Sequence, residues 1–235
     1  MRQIVLDTET TGIGPESGHR IIEIGCVELI DRKLTGRHFH AYLNPNREVD
    51  EGAFRVHGIS TEFLKDKPPF EAIVDEFIQF IAGTELIIHN APFDVGFIEA
   101  ELNWVKWPKR LPDYCTVCDT LVLAREKHPG QRNSLDALCK RYEIDNSNRT
   151  LHGALLDAEI LAHVYLAMTG GQTQLFEEDN LAAVHVTTQQ QQQGFPLLSS
   201  HSPLIAVNEQ EWQRHQEFVD FLVKKSGVNL WQEEE

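Results

Sequence analysis

Three short stretches of this 235-residue chain carry acids and a histidine in patterns that can do chemistry. Asp7 and Glu9 stand two apart after the apolar run Ile4-Val5-Leu6, and the period of a strand puts both carboxylates on one face of a sheet. Acids so placed repel one another unless cations neutralise them. Asp94 follows the buried-type strand Glu85 to His89 and falls in the first turn of a helix that Pro92 helps to start. His152 precedes Asp157 by five positions. Five residues of regular helix rotate by about 140°, so the two can face one site only if Gly153 leaves His152 on the loop or first turn before the helix. Each stretch alone has a plain alternative: a polar turn for Asp7-Thr8-Glu9, a dipole-favoured acid for Asp94, a solvated ring for His152. Taken together, four carboxylates beside strand ends and helix starts, with one loop histidine, are what hard oxygen-ligated cations and an activated water require.

The elements that must hold this set can be read from periodicity. Residues 3–6 and 20–30 read as strands, with a third near 37–43. Phe70, Ile73, Val74, Phe77, Ile78 and Ile81 recur at helical spacing up to Gly83. A buried-type strand over 85–89, a helix over about 92–102 and a short strand near 115–119 come next, and another helix follows them. Ser134 has the chemistry of an N-cap for a helix over about 135–142, and the last long helix spans 154–168 before Gly170-Gly171. Strands first, then strands interleaved with helices, predict an α/β fold with a mixed sheet.

After Gly171 the character changes. Residues 177–207 read as a flexible linker, with an unbroken run from Gln189 to Gln193. Beyond it, Trp212, His215, Val219, Leu222 and Val223 fall on one side of a helix over about 208–225, which has no core of its own and must fold back or dock on another protein.

Composition limits the functions open to such a chain. It is 41% hydrophobic and 24% charged, with a net charge of -15 and a pI near 5.1. Residues 1–176 and 177–235 are both acidic. A broad basic face for nucleic acid is therefore excluded, since such binding scales with neutralised phosphates, and metal ions or a partner must supply the attraction. Four cysteines, with only Cys115 and Cys118 at CxxC spacing, read as free thiols in a reducing, cytoplasmic compartment. The N-terminus does not read as a signal peptide, and no apolar run approaches membrane-spanning length.

Asp7-Thr8-Glu9, the segment Asn90 to Asp94, and His152 with four residues between it and Asp157 resemble the three motifs of the DEDDh, or DnaQ-like, exonucleases. More narrowly, residues 1–176 resemble the branch that proofreads for bacterial DNA polymerase III, through segments such as Arg132-Asn133-Ser134-Leu135-Asp136-Ala137-Leu138. The resemblance implies an RNase H-like sheet flanked by helices and release of 3′-terminal nucleotides of DNA as 5′-monophosphates. It further implies two divalent cations, Mg²⁺ or Mn²⁺, on Asp7, Glu9, Asp94 and Asp157, with His152 as general base. An imidazole titrates ordinarily near ~6.5, so it can take a proton from water near neutral pH.

Thr10, His57 and Asn90, together with Asp7, Glu9 and Asp157, are the implied contacts to the terminal nucleotide; for His57 a turn beside Gly58 is the alternative. Where the branch is expected to carry a glutamate directly before Ala-Phe, this chain has Gly52, with Glu51 one step earlier. Gln172, Leu175 and Phe176 resemble a sliding-clamp (beta) binding peptide over 172–176, against the alternative of a frayed helix end. The expected organisation is then an exonuclease domain over 1–171, the clamp peptide, the linker, and a tail over 208–235 that binds the polymerase alpha subunit. The resemblance leaves open a small accessory (theta) subunit as a further partner. Rival readings are a relative that acts on RNA, and an adaptor with an idle centre.

Overall fold

The computed structural model describes residues 1–147, 149, 151–170, 212, 213, 219, 220 and 224. The chain divides into two units, Met1–Ala182 and Ala183–Glu235. In the second, the five described residues, Trp212, Gln213, Val219, Asp220 and Lys224, are helical. The clamp-type peptide at 172–176 and the linker at 177–207 lie outside the described residues.

The first unit is built on a five-stranded sheet. Its strands are β1 (Arg2–Thr10), β2 (Ile21–Ile30), β3 (Lys33–Tyr42), β4 (Glu85–Ile88) and β5 (Thr116–Asp119), in the order β3-β2-β1-β4-β5. β1 to β3 form an antiparallel meander, and β4 and β5 add to it in parallel with β1. The sheet is therefore mixed, as expected, and the fold is RNase H-like. The carboxyl ends of β1, β4 and β5 share one edge, where open α/β sheets place their ligands.

Alternation on β1 divides the core. Ile4 and Leu6 pack with Ile24, Leu86 and Ile88 under α3 (Phe70–Ile81) and α4 (Ala91–Trp104). Val5 faces the other way and packs with Val27, Leu29 and Ile87 against Ala158, Leu161, Ala162 and Tyr165 of α7 (Ala154–Thr169). The far side of α7 buries Ile160, Val164 and Met168 against α5 (Thr120–Lys127) and α6 (Leu135–Arg141). Because α7 is covered on both sides, it is apolar nearly all round.

Two short helices, α1 (Glu51–His57) and α2 (Thr61–Leu64), occupy a stretch the sequence left unassigned; neither is long enough to show an apolar period. α1 closes at Gly58, whose φ of 72° suits glycine. His57 is thus the last residue of a helix, with Gly58 making the turn. β1 also runs further than its apolar core, through Thr10, because Asp7 to Thr10 keep their ladder with β2. All four cysteines are free thiols, three of them buried. No described helix is long and apolar enough to cross a membrane.

Candidate active site

The odd-numbered face of β1 runs from Val5 into Asp7 and Glu9, so the face that packs α7 turns from apolar to acidic at the strand's carboxyl end. Opposite Asp7 on β2 stands Gly25. A Cβ at Gly25 would lie 2.2 Å from the backbone of Ala154 and Leu155. Glycine there lets the first turn of α7 press onto the sheet, which brings Asp157 beside the β1 acids. Asn90, at a left-handed φ of 66°, turns the chain from β4 into α4 and sets Asp94 in the first turn. There Thr8 Oγ1 donates to Asp94 Oδ1 at 2.6 Å. Gly153 is extended, so His152 lies on the loop before α7 and its Nδ1 comes within 3.1 Å of Asp157 Oδ2.

Asp7, Glu9, Asp94, His152 and Asp157 all line one open cavity of about 660 Å³. Candidate ligand atoms of Glu9, His152 and Asp157 lie within 4.8 Å of one another. Asn90 opens onto the same cavity, as do Arg125, Arg132 and Asp136. Thr10 and His57 line an adjoining cavity of about 500 Å³, joined to the first along Thr8, Glu9 and Phe93. Gly52, Ala53, Val56 and the exposed Ile13 give that second cavity a largely apolar wall. His57 is buried; its Nδ1 accepts from the Ile59 amide at 2.9 Å, and its Nε2 has no hydrogen-bond partner among the described residues.

Burial, with crowding after it, sets the electrostatics. Burial holds Asp7 well above the usual carboxylate range, and the charges of Asp94, Glu9 and Asp157 push it the same way. Burial, then Asp157, Glu23 and Asp94, raise Glu9 to about 8. Burial lifts Asp94 to about 7 against the pull of the Thr8 hydrogen bond. Carboxylates that resist ionising alone become good ligands once a cation supplies the missing charge. An all-oxygen donor set of this kind fits a hard divalent ion.

A fifth charged group sits among them. The Arg149 guanidinium meets both Asp157 oxygens, Nε to Oδ1 at 2.5 Å and Nη2 to Oδ2 at 2.7 Å. It also reaches Asp136 Oδ1 through Nη1 and His152 Nδ1 through Nη2, each at 2.7 Å.

The family model described as Exonuclease matches residues 4–165, a span that contains all four acids and His152. This chain belongs to the exonuclease family. This exonuclease is 54% identical to the DNA polymerase III subunit epsilon of Salmonella typhimurium over 242 residues, covering 98% of this chain and 97% of the relative. It is 52% identical to the Escherichia coli protein of that name over 242 residues, with the same coverage. To that of Rickettsia prowazekii it is 48% identical over 228 residues, covering 94% and 96%. Among solved structures, exonuclease X in complex with 5′-overhanging duplex DNA aligns with a TM-score of 0.56 at 26% identity, covering 72% of this chain and 92% of that one. A 3′-exonuclease that recognises a histone mRNA stem-loop aligns at 0.62 and 19% identity, covering 72% and 64%, which reflects the shared fold. Divalent-metal dependence comes with this family.

Sequence reasoning gathered the acids and His152 but passed over the residues that set their positions in this exonuclease. Gly25 had a signal, since a glycine inside a strand marks close backbone approach. Thr8 and Arg149 lie within or beside the motifs, and nothing in their spacing shows which acid each one meets.

Proposed function

We propose that this exonuclease is the epsilon subunit of a DNA polymerase III, removing mispaired 3′-terminal nucleotides of DNA as 5′-monophosphates. The observation that carries the reading is the convergence of Asp7, Glu9, Asp94, Asp157 and His152 on one cavity at the carboxyl ends of β1 and β4. Asp7, Glu9, Asp94 and Asp157 would hold two cations, Mg²⁺ or Mn²⁺. Bound there, they supply charge neutralisation at the scissile phosphate and lower the pKa of the attacking water. His152 is the general base. When its Nδ1 carries the ring proton toward Asp157 Oδ2, 3.1 Å away, Nε2 is the nitrogen that takes the water's proton.

The terminal nucleotide enters the second cavity, with Thr10 and His57 beside it, Asn90 at the neighbouring mouth, and Asp7, Glu9 and Asp157 around its phosphate and sugar. A frayed end reaches these cavities, while a paired end is held on its duplex. Residues 1–171 form the exonuclease domain. Gln172, Leu175 and Phe176 bind the beta clamp, residues 177–207 link, and 208–235 bind the alpha subunit, with a small theta-type subunit as a further partner. The site of action is cytoplasmic.

The test compares a 3′-mispaired DNA primer with a short RNA oligomer of matched length. Turnover of the mispaired DNA with Mg²⁺, abolished by EDTA, is the expected result. Faster turnover of the RNA would overturn the substrate assignment.

A further inference from the structure

Arg149 is buried in the acidic centre, with 8% of its side chain exposed, and its position conflicts with the chemistry just described. A guanidinium carries only donors, so where Nη2 meets His152 Nδ1 at 2.7 Å the ring nitrogen must accept. A neutral ring that accepts at Nδ1 carries its proton on Nε2, and a protonated Nε2 cannot take a proton from water. The same guanidinium also occupies both oxygens of Asp157. One side chain thus blocks the base and a ligand together. It also relieves crowding, because its charge lowers the proton affinity of Asp7 and Glu9.

We propose that Arg149 is a resident counter-ion that keeps the centre at rest, seated on Asp157 and His152 until a divalent cation displaces it. The inference rests on reading the four acids as cation ligands. A singly charged donor neutralises four crowded carboxylates less well than divalent ions do, so metal uptake drives the exchange. Asp136, on α6, holds the Nη1 arm at 2.7 Å and keeps the released side chain in the cavity. Once Nη2 has left, Nδ1 can carry the ring proton toward Asp157 Oδ2, 3.1 Å away, and Nε2 gains the lone pair that a base needs. The ring is neutral in both arrangements; only the position of its proton differs. Arg149 is accordingly a positioning residue that couples occupancy of the metal site to the tautomer of His152.

The test uses the full-length protein with ¹⁵N-labelled histidine, and reads which His152 nitrogen bears the proton by long-range proton–nitrogen correlation. In EDTA the lone pair is expected on Nδ1, and with saturating Mg²⁺ on Nε2. In Arg149→Gln it is expected on Nε2 in both conditions. By calorimetry, Arg149→Gln binds Mn²⁺ about tenfold more tightly than the parent, since no charge-assisted hydrogen bonds must first be broken. Asp136→Asn, which removes one arm of the hold, falls between them and stands in if the first variant does not fold. A His152 tautomer indifferent to Mg²⁺, or Mn²⁺ affinity unchanged or weakened in both variants, would overturn the inference. Failure of parent and variants alike to take up Mn²⁺ would overturn the cation reading itself.

Discussion

At the scale of single residues, Asp7, Glu9 and Asp94 of the centre resist ionisation, and this has a sign. In an unfolded chain carboxyl groups titrate near ~4. In the metal-free fold Asp94 titrates at about 7 and Glu9 at about 8, with Asp7 also raised. Between those values the folded chain binds more protons than the unfolded one, so stability falls as pH rises from about 4 through about 8. Thermal melts in EDTA should therefore show Tm declining across this window. Glu9→Gln should lift Tm above pH ~7, and Mg²⁺ should restore more stability near pH ~8 than near pH ~5. A Glu9→Gln variant that melts lower than the parent at high pH would contradict this account of buried, crowded charge. The four acids and His152 were legible in the sequence because each lies in a short local pattern. The role of Arg149 was not, since its partners Asp136 and Asp157 meet only after the loop before α7 and the start of α6 have folded together.

At the scale of elements, the centre depends on how closely α7 approaches β2. Gly25 is the contact point, and a methyl group there would overlap the Ala154 backbone. Gly25→Ala must push the helix away, at a cost of about 1–3 kcal/mol, and carry Asp157 and His152 off the β1 acids. Chemical denaturation and metal calorimetry should both register the change; unchanged stability together with unchanged Mn²⁺ affinity would refute it. The long elements were readable because α3 has an apolar period, Ser134 caps α6 and Gly170 ends α7. α1 was not, since seven residues over a site-facing surface keep Phe54 and Val56 exposed and give no period. The strand period already put Asp7 and Glu9 on one face, but the run of β1 through Thr10 was not legible, because its pairing with β2 lies in backbone bonds that any side chain permits.

At the scale of the molecule, a net charge of -15 fits a nuclease that is handed its substrate. Under the proposed function, tethering to a polymerase and a clamp would supply a high effective concentration of primer ends without a basic binding face. Deletion of residues 208–235 should abolish co-purification with a polymerase alpha subunit and leave hydrolysis of short single strands within about twofold. Retained co-purification would refute the tail's assignment. The most direct test of the whole account is single-turnover hydrolysis of a 3′-mispaired primer in Mg²⁺ by the parent, Asp7→Ala and His152→Ala proteins. Loss of a cation ligand should slow cleavage by at least ~10³-fold, and loss of the base by about 10²–10⁴-fold. Cleavage by either variant within a few-fold of the parent would contradict the assignment of the centre.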